Sequence, residues 1–126
     1  MDFSRRSLLL SCFLGRAFGQ TGNIAGLGYK VVPDWPDLPA GWNFGEVAGV
    51  AADSRGHVYV FHRGPHPIME FESGGKFVRS WGDGLITRAH TVRIDHESSI
   101  WVIDVGAHVV LKMNRQGRVI LQLGRQ

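Results

Sequence analysis

Val50-Ala51-Ala52-Asp53 returns as Val92-Arg93-Ile94-Asp95, an offset of 42 residues, and the register then runs to the end of the chain without a gap. Asp53 meets Asp95, Val60 meets Val102, Gly64 meets Gly106, His66 meets His108, Gly75 meets Gly117 and Gly82 meets Gly124. Apolar positions follow the same register, with Tyr59 on Trp101, Ile68 on Val110 and Phe77-Val78 on Val119-Ile120. A period of this size marks stacked copies of one supersecondary unit, because a single copy cannot bury its own apolar face.

Within each copy, short Val-, Ile- and aromatic-rich runs alternate with turn residues, which predicts strands rather than helices. The expected strands are Val47–Ala52, Val58–His62, His66–Phe71 and Phe77–Trp81, then Ala89–Ile94, Ile100–Asp104, His108–Met113 and Val119–Leu123. Asp53-Ser54-Arg55-Gly56, Ser73-Gly74-Gly75 and Arg115-Gln116-Gly117 supply residues that tolerate positive φ in hairpins, and they account for part of a total of 17 glycines. The second copy has Ser98 where the first has Gly56, so its first hairpin must change turn type or carry strain.

A repeating four-stranded antiparallel unit of about 40–45 residues is the mark of a β-propeller blade. A small closed barrel would not need the period. The fold class is therefore all-β, a β-propeller of which two blades are present: residues 46–84 and 85–126, after a connector over 20–45. Tyr29–Val32 is a candidate ring-closing strand, and Pro33, Pro36 and Pro39 mark the connector after it.

The charge balance of 14 Lys+Arg against 11 Asp+Glu loses its meaning once split. Arg5, Arg6, Arg16 and Asp2 lie in the first nineteen residues, leaving 11 basic and 10 acidic groups without a basic stripe. Nucleic-acid binding needs clustered cations and is excluded. Residues 1–19 read as an export signal: Ser4-Arg5-Arg6, an apolar run from Ser7 to Leu14, then Ala17 and Gly19 around Phe18. The pattern is similar to a twin-arginine signal, against the alternative of a frayed cytosolic terminus. Leu9-Leu10-Ser11-Cys12 has the form of a lipoprotein box, but five uncharged residues between Arg6 and Cys12 are too few for an apolar core. Cys12 is the only cysteine, so the exported domain would carry neither disulfides nor thiolate metal sites. No segment is suited to span a bilayer, and the expected location is periplasmic or extracellular. Gly26-Leu27-Gly28 lacks the third glycine and preceding strand of a nucleotide loop.

In a repeat array, shared positions are mostly architectural and departures are candidates for function. His66 and His108 share a position and read as structural residues at a strand start, while His57 and His96 lie by hairpin turns and read as solvated. His62 stands opposite Asp104, Arg63 opposite Val105 and His90 opposite Ala48. His90 begins the first strand of its blade, which in a propeller lines the central channel, where imidazoles from several blades can meet at a metal. Arg63 would be a fixed cation for an anionic substrate group.

The run Gly49-Val50-Ala51-Ala52-Asp53, Gly56, Val58-Tyr59-Val60, Gly64, His66, Gly75-Lys76-Phe77 and Ser80-Trp81-Gly82 resembles the NHL repeat. Val60-Phe61-His62-Arg63-Gly64-Pro65-His66, Ala89-His90-Thr91-Val92-Arg93-Ile94-Asp95 and Trp101-Val102-Ile103-Asp104-Val105-Gly106-Ala107-His108 further resemble peptidyl-α-hydroxyglycine α-amidating lyase, a six-bladed propeller. The resemblance runs from roughly Leu38 to the end. It implies His90 as the first of three zinc histidines, Arg63 as the arginine at the substrate, and the carbonyls of Val50 and Val92 on a structural calcium. It also implies a tyrosine base and two more zinc histidines on later blades, and a reaction giving a peptide amide and glyoxylate. Thr91 departs from the glycine usual beside the ligand.

The resemblance thus implies a secreted metal-dependent lyase with a peptide-like small substrate, of which this chain alone would be inactive. The alternatives are a non-catalytic NHL propeller binding a ligand or protein, and an interaction module completed by oligomerisation. Two blades leave a sheet face and edge uncovered, so remaining blades or further copies are expected partners.

Overall fold

Eight strands form two four-stranded antiparallel sheets in a computed structural model, which describes residues 28–125. The expected export signal, Cys12 and Gly26-Leu27 lie outside the described residues. The chain divides after Pro33 into two compact units. Of the first, residues 28–33 are described; Tyr29, Val31 and Val32 are exposed and carry no strand.

The second unit, from Asp34 onward, holds both sheets. The first runs β1 (Glu46–Ala52), β2 (Val58–Arg63), β3 (Ile68–Phe71), β4 (Phe77–Trp81), and the second β5 (Ala89–Ile94), β6 (Ile100–Asp104), β7 (Val109–Met113), β8 (Val119–Leu123). Each sheet pairs its strands in chain order, the meander of a propeller blade. β3 and β7 start later than the sequence suggests. His66 and His108 take φ of +58° and +56°, so they complete the preceding turn instead of opening a strand. Ser98 settles its hairpin by accepting φ +62°, where Gly56 sits at +83°. The same turn is kept in both blades, and a serine carries the strain in the second.

The blades pack face to face through Tyr59, Phe61 and Ile68 of the first and Val92, Ile100, Val102, Leu111 and Met113 of the second, all nearly or fully buried. This apolar burial is the main force joining the sheets. The opposite face of the first blade buries Val60, Met69 and Phe71 beneath Trp35, Leu38, Trp42 and Phe44 of the connector. Trp35 there copies a role from the other interface. Trp81 lies over Gly117, where an added Cβ would come within 3.0 Å of its ring, and Trp35 lies over Gly75 with the corresponding gap of 2.9 Å. Gly75 and Gly117 are repeat partners, so the connector supplies the indole that a preceding blade would otherwise provide. A parallel bridge between Asp37 and Lys76 holds it in place. The outer face of the second blade has no such cover among the described residues, and leaves Ile103, Leu121 and Leu123 exposed.

Candidate functional site

Both inner strands carry a β-bulge at the same place. The ladder of β1 steps from Val47 to Gly49 and that of β5 from Ala89 to Thr91, so Ala48 and His90 are the unpaired residues. A bulge frees one side chain from the alternation of the pleat and re-aims it. His90 is exposed there, with Nδ1 3.0 Å from Thr91 Oγ1. When Nδ1 donates to that hydroxyl, Nε2 keeps a lone pair for a ligand, the arrangement in which an outer partner fixes a metal-binding imidazole. The departure from glycine at Thr91 thus gives His90 a partner.

Arg63 closes β2 and reaches across to the next blade. Its Nε donates to the carbonyl oxygen of Ala89 at 3.0 Å, and its Nη1 to Glu46 Oε1 at 2.7 Å. The structure therefore brings Arg63 to the residue preceding His90. Arg63 also borders a cleft of about 260 Å³ between the blades, together with His62, Gly64, Pro67, Thr87 and Arg88.

Val50 and Val92 occupy equivalent places on β1 and β5. The Val92 carbonyl accepts a bond from Arg93 Nη1 at 3.0 Å, so a cation there competes with a guanidinium. Among the described residues no three His, Cys, Asp or Glu side chains converge to hold a metal. His90 fits the part of one ligand, but these residues alone do not fit a catalytic zinc, which needs three protein donors.

His62 is fully buried and belongs to the scaffold. Its Nδ1 accepts the Gly45 N–H at 2.9 Å, while Nε2 meets the His66 carbonyl at 3.1 Å. Burial lowers its pKa, which favours the neutral ring that this pairing requires. Neither nitrogen is left for a metal. Asp104, its repeat partner, accepts the N–H groups of Thr87, Arg88, Gly106 and Ala107. Burial works to raise its pKa, and the four backbone donors outweigh that and lower it.

His57 is not the solvated turn residue its position suggests: Nδ1 lies 2.7 Å from Oε1 of Glu70. Glu70 is 2% exposed. It also takes Arg79 Nε at 2.6 Å and the Tyr59 hydroxyl at 3.2 Å. Burial would raise its pKa, but the bonds from Arg79 and His57 lower it. Tyr59, desolvated and facing the charges of Glu70 and Asp53, is pushed up to about 12. Sequence reasoning missed this cluster because its members lie on three strands and a turn. The available signal was a buried-strand Glu70 standing where the other copy has Lys112.

No family model matches the chain. It is 29% identical over 118 residues to peptidyl-glycine α-amidating monooxygenase B of Xenopus laevis, which covers 73% of this chain and 13% of that protein. It is 26% identical over 106 residues to a probable peptidyl-α-hydroxyglycine α-amidating lyase of Caenorhabditis elegans, covering 65% of this chain and 30% of the relative. The chain resembles the amidating lyases. It therefore spans less than a third of the length of these relatives. The structure of a streptogramin B lyase superposes with a TM-score of 0.54 at 14% identity, covering 65% of this chain and 27% of that one. That likeness concerns the fold, and with the two meandering sheets it makes this chain part of a propeller. No helix of the described residues is long and apolar enough to cross a membrane.

Proposed function

We propose that the chain is the two-blade portion of an exported, metal-dependent propeller lyase that converts peptidyl-α-hydroxyglycine to a peptide amide and glyoxylate. The observation that carries this reading is the bond from Arg63 to the carbonyl of Ala89, beside the bulged His90, in a chain similar to amidating lyases. In that reaction the substrate hydroxyl loses its proton, its electron pair forms the carbonyl of glyoxylate, and the C–N bond breaks. The amide nitrogen takes up a proton. Arg63 binds the terminal carboxylate and orients the scissile bond, with Glu46 holding the guanidinium in place. His90 contributes one neutral imidazole. Zinc would supply Lewis acidity toward the hydroxyl, and further donors must come from outside the described residues. A calcium at the Val50 and Val92 carbonyls would require Arg93 to release its bond.

The second reading is a non-catalytic propeller module that binds a ligand or protein. Its support is that Arg63 is already engaged, by Glu46 within its own blade and by the Ala89 carbonyl of the next blade. The readings separate on titration of an α-hydroxyglycine-ended peptide into the purified chain. The lyase reading expects binding that Arg63→Ala weakens about tenfold, the loss of one charge-assisted contact. Indifference to Arg63→Ala would sink it, as would zinc binding by a blade-complete relative that ignores the change of the histidine corresponding to His90. Glyoxylate release would sink the rival.

A further inference from the structure

At the opposite end of β2 from Arg63 lies a cleft of about 320 Å³ bordered by Arg55, His57, Glu70, Arg79, Arg115 and Gln116. Tyr59 and Arg63 are four residues apart on that strand, roughly 13 Å, so this cleft and the candidate lyase site are separate.

Its charges are layered. The carboxylates lie underneath, with the side chains of Asp53 and Glu70 only 1% and 3% exposed, whereas those of Arg55 and Arg79 are 43% and 35% exposed. Arg55 spends Nε and Nη2 on Asp53, and Arg79 spends Nε on Glu70 and Nη2 on the carbonyl of Arg115. The Nη1 group of each has no acceptor among the described residues. Arg115 is exposed and its side chain likewise bonds to none of them. Three guanidiniums thus stand over two buried carboxylates, with an excess of positive charge at the surface.

The arrangement is also held in shape. Arg79 lies over the ring of Trp81, 4.6 Å from its centroid, and Trp81 packs against Gly117 in the hairpin that carries Arg115. The second blade lacks the feature. There Glu97 replaces Arg55, Lys112 replaces Glu70 and Leu121 replaces Arg79, and Lys112 is closed off by Asp95 and Glu97 at 3.3 and 3.2 Å. The same scaffold therefore works without surplus cations, so the surplus in the first blade is not required by the fold.

We infer that this cleft is a binding site for a compact dianion of the phosphate class. Guanidinium forks match tetrahedral oxyanions in both charge and geometry, and the unspent Nη1 groups supply donors without breaking the pairs beneath. His57, set on Glu70, adds a ring at the rim.

The test is calorimetric titration of inorganic phosphate into the 126-residue chain at constant ionic strength, with acetate as a monoanion arm. The expected result is saturable one-site binding of phosphate, weakened about tenfold by Arg115→Ala, with acetate much weaker. Gln116→Glu, which places a carboxylate at the mouth and removes no backbone contact, is expected to weaken it similarly. Both side chains are exposed, and unchanged circular dichroism would show that the blades persist. Arg63→Ala should leave phosphate binding unaltered, which separates this site from the lyase reading. Absence of saturable heat, phosphate affinity unchanged from the wild type in both cleft variants, or acetate binding as tight as phosphate would each overturn the proposal.

Discussion

His62 and Asp104 hold the same place in successive blades, and each receives the backbone N–H that enters its own blade. Gly45 N–H bonds to His62 Nδ1 at 2.9 Å, and Thr87 N–H to Asp104 Oδ2 at 2.6 Å. Gly45 and Thr87 are themselves repeat partners. One junction is thus built twice with different chemistry, a neutral ring in one blade and a carboxylate in the other.

Asp104→Ala would strand four buried or half-buried backbone donors. Leaving such groups unpaired costs roughly 1–3 kcal/mol each before relaxation and water entry, so a loss of at least about 3 kcal/mol is expected. Urea denaturation measures it. A midpoint within error of the wild type would mean that these bonds carry no stability.

The pH dependence should have an early acid arm that belongs to His62. Its folded pKa lies below the ordinary 6.5, so the unfolded chain binds a proton first as pH falls. Stability is therefore lost from about pH 6.5 downward, ahead of the arm from Asp53, Glu70 and Asp104, whose lowered pKa values place their loss below the carboxylate model values. In His62→Asn the early arm should vanish while the later one stays. Thermal melts across this range decide it.

On the alkaline side, Tyr59 carries the opposite sign. Its folded pKa of about 12 exceeds the unfolded value of 10.0, so its contribution is complete below pH 10 and is lost as pH rises toward 12. A Tyr29→Phe variant leaves Tyr59 as the one tyrosine. Its tyrosinate absorbance should rise near pH 12. A rise centred near 10 with the fold intact would contradict the burial and charge assigned to it.

Trp35→Ala should cost about 3 kcal/mol, the scale for deleting a large aromatic from a packed site. The indole covers Gly75, and its ring centroid is 5.9 Å from that of Phe71. Denaturant midpoints of Trp35→Ala and Trp81→Ala should shift alike if the two indoles do the same work; an unmoved midpoint for Trp35→Ala would show the connector to be dispensable.

Much of the fold was legible in the sequence because glycines and alternating apolar residues recur at a fixed spacing that no helix would need. Strand edges were less so: nothing in the letters at His66 and His108 announces a left-handed backbone. His90 was singled out by its mismatch with Ala48, and the bulge adds the reason its side chain stands apart from the pleat. His62, singled out by the same logic, proved architectural, since an imidazole and a carboxylate can both accept a backbone N–H. The partners of Glu70 were invisible because they are adjacent only after three strands pair. The role of Trp35 was hidden among connector prolines.

The indole of Trp35 makes the two ends of this pair of sheets unlike. One end is stoppered by the chain's own connector, while the other presents Ile103, Leu121 and Leu123 to solvent. Head-to-tail stacking, which needs both ends free and can run on into a fibre, is blocked at one of them. Any self-association of the purified chain should pair like end with like and stop at two copies, and Leu123→Glu should return it to one.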